Sequence, residues 1–455
     1  MLFSSNYKNT NPLIIIFLIG ILFSSFYAIY NINKFDKNEN GRHLMIRGDT
    51  SLIWREANSF KKDLNKNQNF FGNGMEYTRT FLPSKMIAFY SLLSGHDLFE
   101  DSKSTIIKVG GKLPFLLFQI IIYYLSLIFL YKKILFLYDN KNISFCIILY
   151  LALDPNIIQW HGTFWTESIF ISLQIFLVGM IISKNKTNLF CLSLGLFLGL
   201  IFLQKTVGIL FILFIIFFIF FSESENKKLK VASIFLGFSL VLCFLGFDNF
   251  KKTGIFYIMP TQTKMAHYNV LIVQIYKEKN DLNTFKKIKK SEEEWKIENS
   301  YSEDNFESLY NLRKFQQTKA IEAILNNKII TIKIYLKKII NHSLLNPLQT
   351  YYWHKYNQQE YAETEFHQSK ESKKYKIFKI LYSLIFYIIL LIGFVRTIKD
   401  KKNFKFHLLL LFLVAYLIFM LGWVGNSRYY IPSIIFLSIF VGHGIDYISK
   451  LRYKN

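Results

Sequence analysis

Cysteine is scarce in this sequence, with only three residues in 455, and each of them lies inside an apolar run. Cys146, Cys191 and Cys243 have no partner nearby in sequence and do not show the spacing of metal ligands. Neither a glycine-rich loop that could cradle a phosphate nor a nucleophile elbow occurs. We therefore predict no disulfide, no metal site and no bound cofactor.

Acidic residues are also few, since 31 Asp and Glu stand against 55 Lys and Arg, which gives a net charge of +24. Such a charge could indicate nucleic-acid binding, but the lysines fall mostly between apolar runs and no basic helix is interleaved with stacking aromatics. The sequence is 52% hydrophobic, and several apolar runs have about the length that crosses a bilayer. These features predict an all-α, polytopic membrane protein whose surroundings are lipid rather than nucleic acid.

Ten membrane spans are predicted from the apolar runs. The first, Pro12 to Tyr30, has no convincing small-residue cleavage site after it and is interpreted as an uncleaved anchor. The run from Leu189 to Phe221 would reach roughly 50 Å as one helix against a hydrocarbon core of about 30 Å, so we predict that it crosses twice with a turn at Gln204-Lys205. The other predicted spans are Leu113 to Tyr131, Ile143 to Ile158, Phe164 to Ile182, Val231 to Phe250, Ile377 to Val395, Phe406 to Trp423 and Tyr429 to Ile448.

Positive charges in the short loops predict the orientation of the chain in the cell membrane. With ten spans, nearly all of them fall on one side, which the positive-inside rule assigns to the cytoplasm. These residues are Lys132, Lys133, Lys141, Lys184, Lys186, Lys227, Lys228, Lys230, Arg396, Lys399, Lys401, Lys402, Lys405, Lys450, Arg452 and Lys454. We interpret residues 1–455 as a single integral membrane domain whose two long loops, 31–112 and 251–375, lie on the outer face.

The outer loops are predicted to contain helices. In the first loop these are Thr50 to Leu64, Pro83 to Leu93 and roughly Ser102 to Val109. In the second loop, apolar residues from Ala320 to Leu344 recur at helical spacing, which indicates an amphipathic helix on the outer membrane surface.

Asp49 lies just beyond the first span and is the leading candidate for a catalytic group. It stands beside Arg47 and Gly48. A carboxylate placed just outside the hydrocarbon core has the position that a general base needs when one substrate is embedded in lipid. Aspartate is also a preferred N-cap residue, so Asp49 could cap the predicted helix Thr50 to Leu64, and the two roles are compatible.

Six landmarks along the chain resemble, in order and in topological placement, those of the GT-C membrane glycosyltransferases, and most closely the protein O-mannosyltransferases and aminoarabinose transferases. They are "RGDTSLIWREA", "EYTRTFLPSKMIAFY", "DPNIIQWHGTFWTESIFISL", "FLQKTVGIL", "FDNFKKTGIFYI" and "NSRYYIPSIIF". The resemblance implies an outer-face enzyme that uses a polyprenyl-phosphate-linked sugar as donor and a lipid, a glycan or a protein as acceptor. Asp49 matches the family acid. The sequence departs from the family where Thr50 replaces a second acid and where Lys205 stands at a position often held by Arg.

Cations near the outer leaflet are candidates for stabilising the negative charge that develops on a departing lipid phosphate. Arg79, Lys205 and Arg428 have this placement. The alternatives are a solvated loop charge for Arg79 and an interfacial anchor for Arg428 and the neighbouring Tyr430. Charges at the outer ends of spans are costly and therefore suspect, and Asp154 joins Lys205 in this group.

Glu167 begins the predicted fourth span, with His161 close by. A Glu near a helix N-terminus is favoured by the helix dipole and needs no further role, and His161 can be an ordinary interfacial polar residue. The family resemblance implies that Glu167 belongs to the substrate cavity, where it could position a sugar hydroxyl or orient a cation, and His161 is a candidate substrate-binding residue beside it.

Three other functions are compatible with a polytopic chain. A polymerase or ligase of lipid-linked glycans would depend on cations of the last outer loop rather than on Asp49. A transporter or flippase should show inverted repeats and charges at the bilayer midplane, but no repeat is found and the charges lie at the outer ends of the spans. A structural membrane subunit would need no catalytic residue.

The predicted orientation can be tested by cysteine labelling in sealed cells, in a background where the three natural cysteines are replaced by serine. Glu303→Cys should react with an impermeant maleimide added outside, whereas Lys401→Cys should react only after the membrane is permeabilised. Labelling of Lys401→Cys in intact cells would contradict the ten-span topology.

Overall fold

The computed structural model describes most of the chain, and every regular element in the described part is helical. The described residues are 12–36, 53, 56–57, 60–61, 81–94, 109–163, 166–184, 186–223, 225–260, 267–302, 305–341, 373–424 and 430–452. In the first half the helices are α1 (Pro12–Asp36), α2 (Phe81–Ser94), α3 (Val109–Tyr138), α4 (Lys141–Leu153), α5 (Pro155–His161), α6 (Glu167–Ile182), α7 (Asn188–Gln204), α8 (Phe211–Ser222) and α9 (Lys227–Thr253). In the second half they are α10 (Val273–Glu278), α11 (Leu282–Glu298), α12 (Phe306–Asn326), α13 (Lys328–Ile339), α14 (Lys373–Ile398), α15 (Phe404–Val424) and α16 (Ile431–Arg452). The predicted all-α membrane class is confirmed.

Five of the described helices are long and apolar enough to cross a membrane: α1, α3, α9, α14 and α16. The pair α4 and α5 would form a sixth span, bent by 50°. Shorter apolar helices occupy the remaining predicted spans, namely Glu167–Ile182, Asn188–Gln204, Thr206–Ser222 and Phe404–Met420. Each predicted span thus coincides with an apolar helix, while the number that crosses the bilayer stays a prediction.

The predicted split at Gln204-Lys205 is present. Helix α7 ends at Gln204, Lys205 is extended (φ −156°, ψ 121°), and a 3-10 turn leads into α8. At the other end of this segment, Lys186 before α7 lies 3.1 Å from a carboxylate oxygen of Glu223 after α8. Because residues at the two ends of the segment meet, the chain leaves and returns to the same end of the bundle. The segment is therefore a hairpin.

Glu223 joins the hairpin to the next helix through its second oxygen, which lies 2.7 Å from the ammonium of Lys230 at the start of α9. Burial alone would raise the pKa of Glu223, but the hydrogen bonds from Lys230 and Lys186 outweigh it and lower the pKa below its usual value. This end of the bundle is thus held by one carboxylate between two lysines.

Close packing of α7 against α9 depends on two glycines. A Cβ added at Gly195 would meet the backbone oxygen of Ile234, and one added at Gly237 would meet the backbone oxygen of Leu192. Small residues at facing positions let two apolar helices approach until their backbones touch, which is a common packing mode in membranes. This contact holds the hairpin against α9.

The described residues of the first loop, which is predicted to lie outside, pack on the helical body. Within the predicted helix Thr50 to Leu64, the described positions are helical, and Phe60 packs edge-on against Phe89 of α2 at 5.7 Å. The ammonium of Lys85 lies 3.3 Å from the centre of the Phe60 ring. Helix α2 in turn contacts α3, where Tyr90 meets Phe115 at 5.3 Å. The predicted helix Pro83 to Leu93 is confirmed as α2, whereas Ser102 to Val109 lies outside the described residues except for its last position.

The predicted amphipathic helix Ala320 to Leu344 is found as two consecutive helices, α12 and α13, which meet at Asn327. The charged stretch around 277–307 contains α11, which is anchored through Glu292. The side chain of Glu292 is buried and accepts hydrogen bonds from Tyr268 (2.8 Å) and Gln316 (2.6 Å). Helix α13 contacts the end of α15, since the hydroxyl of Tyr335 donates to the backbone oxygen of Phe419.

Replacing Gly195 by Val should force α7 and α9 apart and lower the free energy of unfolding by about 3 kcal/mol, because the added methyls meet backbone that cannot move aside. Leu196→Val is the matched control, since the Leu196 side chain is exposed on the outside of the bundle. Unfolding of the two purified variants in mixed micelles measures the difference. Equal stability would contradict the backbone contact.

Candidate functional site

Helix interruptions gather at the end of the bundle opposite the Lys186–Glu223 pair. Helices α4 and α5 are separated by a kink at Asp154, α6 begins at Glu167 after a turn, and α7 stops before Lys205. Each interruption leaves backbone groups without a helical partner, so polar side chains collect there. This end is the outer one in the predicted topology.

Glu167 and Lys205 form a buried ion pair at this end. Their side chains are 0% and 7% exposed, and the Lys205 ammonium donates to a Glu167 oxygen at 2.8 Å. The other oxygen of Glu167 accepts from the Thr166 hydroxyl at 3.3 Å. The amide of Gln204 donates to the backbone oxygen of Thr166 at 3.0 Å and links the same two segments again. The pair therefore ties the start of α6 to the end of α7.

Two further contacts fix the orientation of this pair. The N-terminal position of Glu167 on α6 places its negative charge at the positive end of the helix dipole. Beyond Lys205, the hydroxyl of Tyr416 on α15 donates to the backbone oxygen of Val207 at 2.7 Å. The interruption after α7 is thus held from two sides by neighbouring helices.

His161 lies at the end of α5 and is connected to the ion pair through the residue after Glu167. Its Nδ1 is 2.8 Å from the hydroxyl of Ser168, and its ring packs 4.4 Å from the ring of Tyr123. The other ring nitrogen, Nε2, is buried and has no hydrogen-bond partner in the described part of the chain. An imidazole nitrogen of this kind can donate to or accept from a substrate hydroxyl, depending on the tautomer.

A second polar cluster surrounds Asp154. One oxygen of Asp154 accepts from the backbone N–H of Asn156 at 2.7 Å and caps α5, and the other accepts from the Tyr382 hydroxyl at 3.4 Å. On the same helix as Tyr382, the hydroxyl of Tyr387 lies 3.4 Å from that of Tyr430. The kink at Asp154 is thus joined to α14, and α14 to the start of α16.

The structure brings some of the predicted site residues together and separates others. Glu167 and Lys205 are in contact, and His161 is one side chain away, whereas Tyr430 packs with Tyr387. Lys205 was predicted as a cation for phosphate, and here its ammonium binds Glu167, so any substrate anion would meet the pair rather than an isolated charge. The remaining predicted residues, Arg47, Asp49, Arg79 and Arg428, lie outside the described residues.

Sequence reasoning assigned Gln204 only to the predicted turn and did not find Tyr382 or Tyr387. The only available signal for Tyr382 was its place near the start of an apolar span, where aromatic residues are ordinarily interfacial anchors.

Among the residues that the structure describes, no group of three or more His, Cys, Asp or Glu side chains could hold a metal ion.

Comparison with known proteins supports the architecture. The sequence profile of the dolichyl-phosphate-mannose-protein mannosyltransferase family matches residues 103–247, which include His161, Glu167 and Lys205. The fold is similar to that of the archaeal oligosaccharyltransferase AglB from Archaeoglobus fulgidus, solved in complex with an inhibitory peptide and a dolichol-phosphate, with a TM-score of 0.55 and 11% identity over 99% of this chain and 52% of that one. The apo form of the Archaeoglobus fulgidus oligosaccharyltransferase matches with a TM-score of 0.52 and 11% identity, over 98% of this chain and 51% of that one.

The chain therefore spans about half the length of the solved structures that it matches. No curated protein matches it in sequence. Because the identities are so low, the likeness to the solved structures concerns the fold.

Replacing one residue of the Glu167–Lys205 pair should lower the stability of the protein more than replacing both residues together. Glu167→Gln or Lys205→Met alone leaves a buried charge without its partner and should cost about 3–5 kcal/mol of stability, whereas the double variant should recover a large part of that loss. Unfolding of the four proteins in mixed micelles gives the coupling energy. The matched control is the Lys186–Glu223 pair, which is more exposed and should show a smaller coupling. Additive losses at Glu167 and Lys205 would contradict a direct pair.

Proposed function

We propose that this chain is a membrane glycosyltransferase of the GT-C type, which the matching family model and the similar fold support, and that it transfers a sugar from a polyprenyl-phosphate-linked donor to an acceptor hydroxyl on the outer face of the cell membrane. Asp49 acts as the general base. The description of the matching family names dolichyl-phosphate-mannose, which is a sugar linked to a polyprenyl phosphate, and this supports the same class of donor. A lipid, a glycan or a protein can supply the acceptor hydroxyl.

The docking of the first outer loop is the observation that carries this proposal. Ile53, Glu56, Ala57 and Phe60 are all buried, at 2%, 3%, 0% and 1% exposure, and their spacing is that of one helical face. Asp49 precedes Ile53 by four residues, so the chain length keeps it within about 14 Å of this docked face. Such a tether holds a catalytic carboxylate at the body of the enzyme, as general-base catalysis requires.

In the proposed step, the acceptor oxygen attacks the anomeric carbon of the donor and gives its proton to the Asp49 carboxylate. The bond from the anomeric carbon to the phosphate oxygen breaks, and its electron pair leaves with the polyprenyl phosphate. Attack from the face opposite the phosphate inverts the configuration at the anomeric carbon. The step requires no reactant other than the donor and the acceptor.

The other candidate residues act on the donor. Arg79 and Arg428 stabilise the charge that develops on the leaving phosphate, as fixed cations at a transition state do. Lys205 adds to the positive potential around the leaving phosphate, and its ammonium is oriented by Glu167 at 2.8 Å. Arg47 keeps the neighbouring Asp49 carboxylate ionised, and His161 and Tyr430 hydrogen-bond sugar hydroxyls.

A second candidate is transfer of a whole lipid-linked oligosaccharide. It is favoured by the similarity of the fold to the archaeal oligosaccharyltransferase. The chain spans 52% of the length of that enzyme. Assays with a donor carrying one sugar and with a donor carrying several sugars distinguish the two.

Replacing Asp49 by Asn should lower transfer by roughly a hundredfold or more, the loss expected when a positioned base is removed. Asparagine is nearly isosteric and can still cap a helix, so a purely capping role predicts little change. The measurement is sugar transfer from a polyprenyl phosphate donor by purified protein in nanodiscs, with the products identified by mass spectrometry.

Asp63→Asn is the matched control, because it makes the same change of charge elsewhere in the same loop and should leave transfer unchanged. Near-normal transfer by a correctly folded Asp49→Asn protein would remove Asp49 from the chemistry and favour the glycan ligase alternative.

A further inference from the structure

Lys338 is a buried cation in the second outer loop that takes no part in the proposed chemistry. It lies on α13 with 8% exposure, and its ammonium has no hydrogen-bond partner among the described residues. Burial lowers its pKa to about 8. Taking an unpaired ammonium out of water costs several kcal/mol, so such a group calls for an anion.

Two neighbouring lysines on the same helix behave differently. Lys333 and Lys337 lie on its exposed side, where their ammonium groups approach Glu278 of α10 at 3.6 and 3.4 Å. The Glu278 carboxylate therefore pairs with the exposed lysines of α13. Lys338 points to another face.

Thr331 shares that face with Lys338. It precedes Lys338 by seven residues, or about two helical turns, which places both on one side of α13. Thr331 is also buried, at 7% exposure, and its hydroxyl oxygen has no hydrogen-bond partner in the described part of the chain. One buried helix face thus carries two polar groups that have no hydrogen-bond partner among the described residues.

This face lies between two other elements of the protein. Ile334, between Thr331 and Lys338 in sequence, packs against Ile275 of α10 and against Leu271, which precedes that helix. On the other side, Tyr335 packs against Phe419 near the end of α15, with ring centres 5.3 Å apart. The two polar groups therefore face the junction of α13 with α15 and the α10 segment.

The apolar residues on the opposite side of α13 indicate how deep in the membrane this junction lies. Ile329, Ile332, Leu336 and Ile340 are 84%, 58%, 51% and 45% exposed and form an apolar ridge. Since α13 also contacts the end of the apolar helix α15, this ridge fits the outer leaflet, as the apolar side of an interfacial helix does. Lys338 and Thr331 then lie near the level of lipid phosphates.

We propose that Lys338 and Thr331 bind the phosphate group of a membrane lipid at this junction. The ammonium and the hydroxyl donate hydrogen bonds to phosphate oxygens, and the phosphate supplies the charge that balances Lys338. Two lipids carry this group: the polyprenyl phosphate of the donor, in which case the inference rests on the proposed function, and an anionic phospholipid of the outer leaflet.

The test compares wild type, Lys338→Met and Lys337→Met as purified full-length proteins in detergent. Native mass spectrometry gives the dissociation constants for undecaprenyl phosphate, for uncharged undecaprenol and for dioleoyl phosphatidylglycerol. Lys338→Met should weaken binding of at least one of the two phosphate lipids by roughly tenfold or more. Binding of undecaprenol should not change, and Lys337→Met should bind all three as wild type does.

The pattern of losses identifies the source of the phosphate. A loss confined to undecaprenyl phosphate assigns the donor, and a loss for phosphatidylglycerol assigns the phospholipid. Wild-type affinity of Lys338→Met for both phosphate lipids would overturn the proposal. These measurements do not require transfer, so a weakened phosphate affinity would stand even if no transferase activity were found.

Folding of the variants is checked separately. Methionine replaces the Lys338 ammonium by an apolar chain of similar length, so in lipid-free detergent Lys338→Met should have a melting temperature at least as high as that of wild type. If that variant nevertheless fails to fold, Thr331→Val decides the question. A weakening of phosphate-lipid binding by about threefold would support the proposal, and unchanged binding would overturn it.

Discussion

A charge inside a helical bundle must find a partner, and the pair of Lys205 with Glu167 is the clearest consequence in this protein. The pair joins the end of α7 to the start of α6 at 2.8 Å, out of contact with water. At the opposite end, Glu223 joins Lys186 and Lys230 in the same way. Between these two fixed ends, an apolar segment too long for one span can only form a hairpin. Electrostatic pairing thus directs the course of the chain through this half of the bundle.

The same constraint concentrates polar groups where helices are interrupted. A break exposes backbone groups that require partners, and the side chains that satisfy them, such as Asp154 at α5 and Gln204 at α7, also bring hydrogen-bonding capacity into an apolar region. His161 illustrates the result, because one ring nitrogen is used by Ser168 and the other has no partner among the described residues. A binding site for sugar and phosphate groups would use such residues.

The two long loops that are predicted to lie outside contribute in different ways. In the first, the described residues pack onto the helical body, with the Phe60 ring between Lys85 and Phe89. The second contains helices in which Glu292 accepts hydrogen bonds from Tyr268 and Gln316, whereas the Lys338 ammonium has no hydrogen-bond partner in the part of the chain that the structure describes. A satisfied buried charge is adequately explained by folding, whereas one without a partner points to a ligand.

The sequence by itself determined the membrane class, the positions of the apolar helices and the split at Lys205, because run length and the placement of lysines are local properties that the bilayer constrains directly. The resemblance to the GT-C enzymes was also present in ordered local motifs. Only the tertiary structure decided that Glu167 meets Lys205, 38 residues away, and that Asp154 meets Tyr382, 228 residues away. Such contacts depend on how helices rotate and pack against one another, and periodicity within one helix does not contain that information.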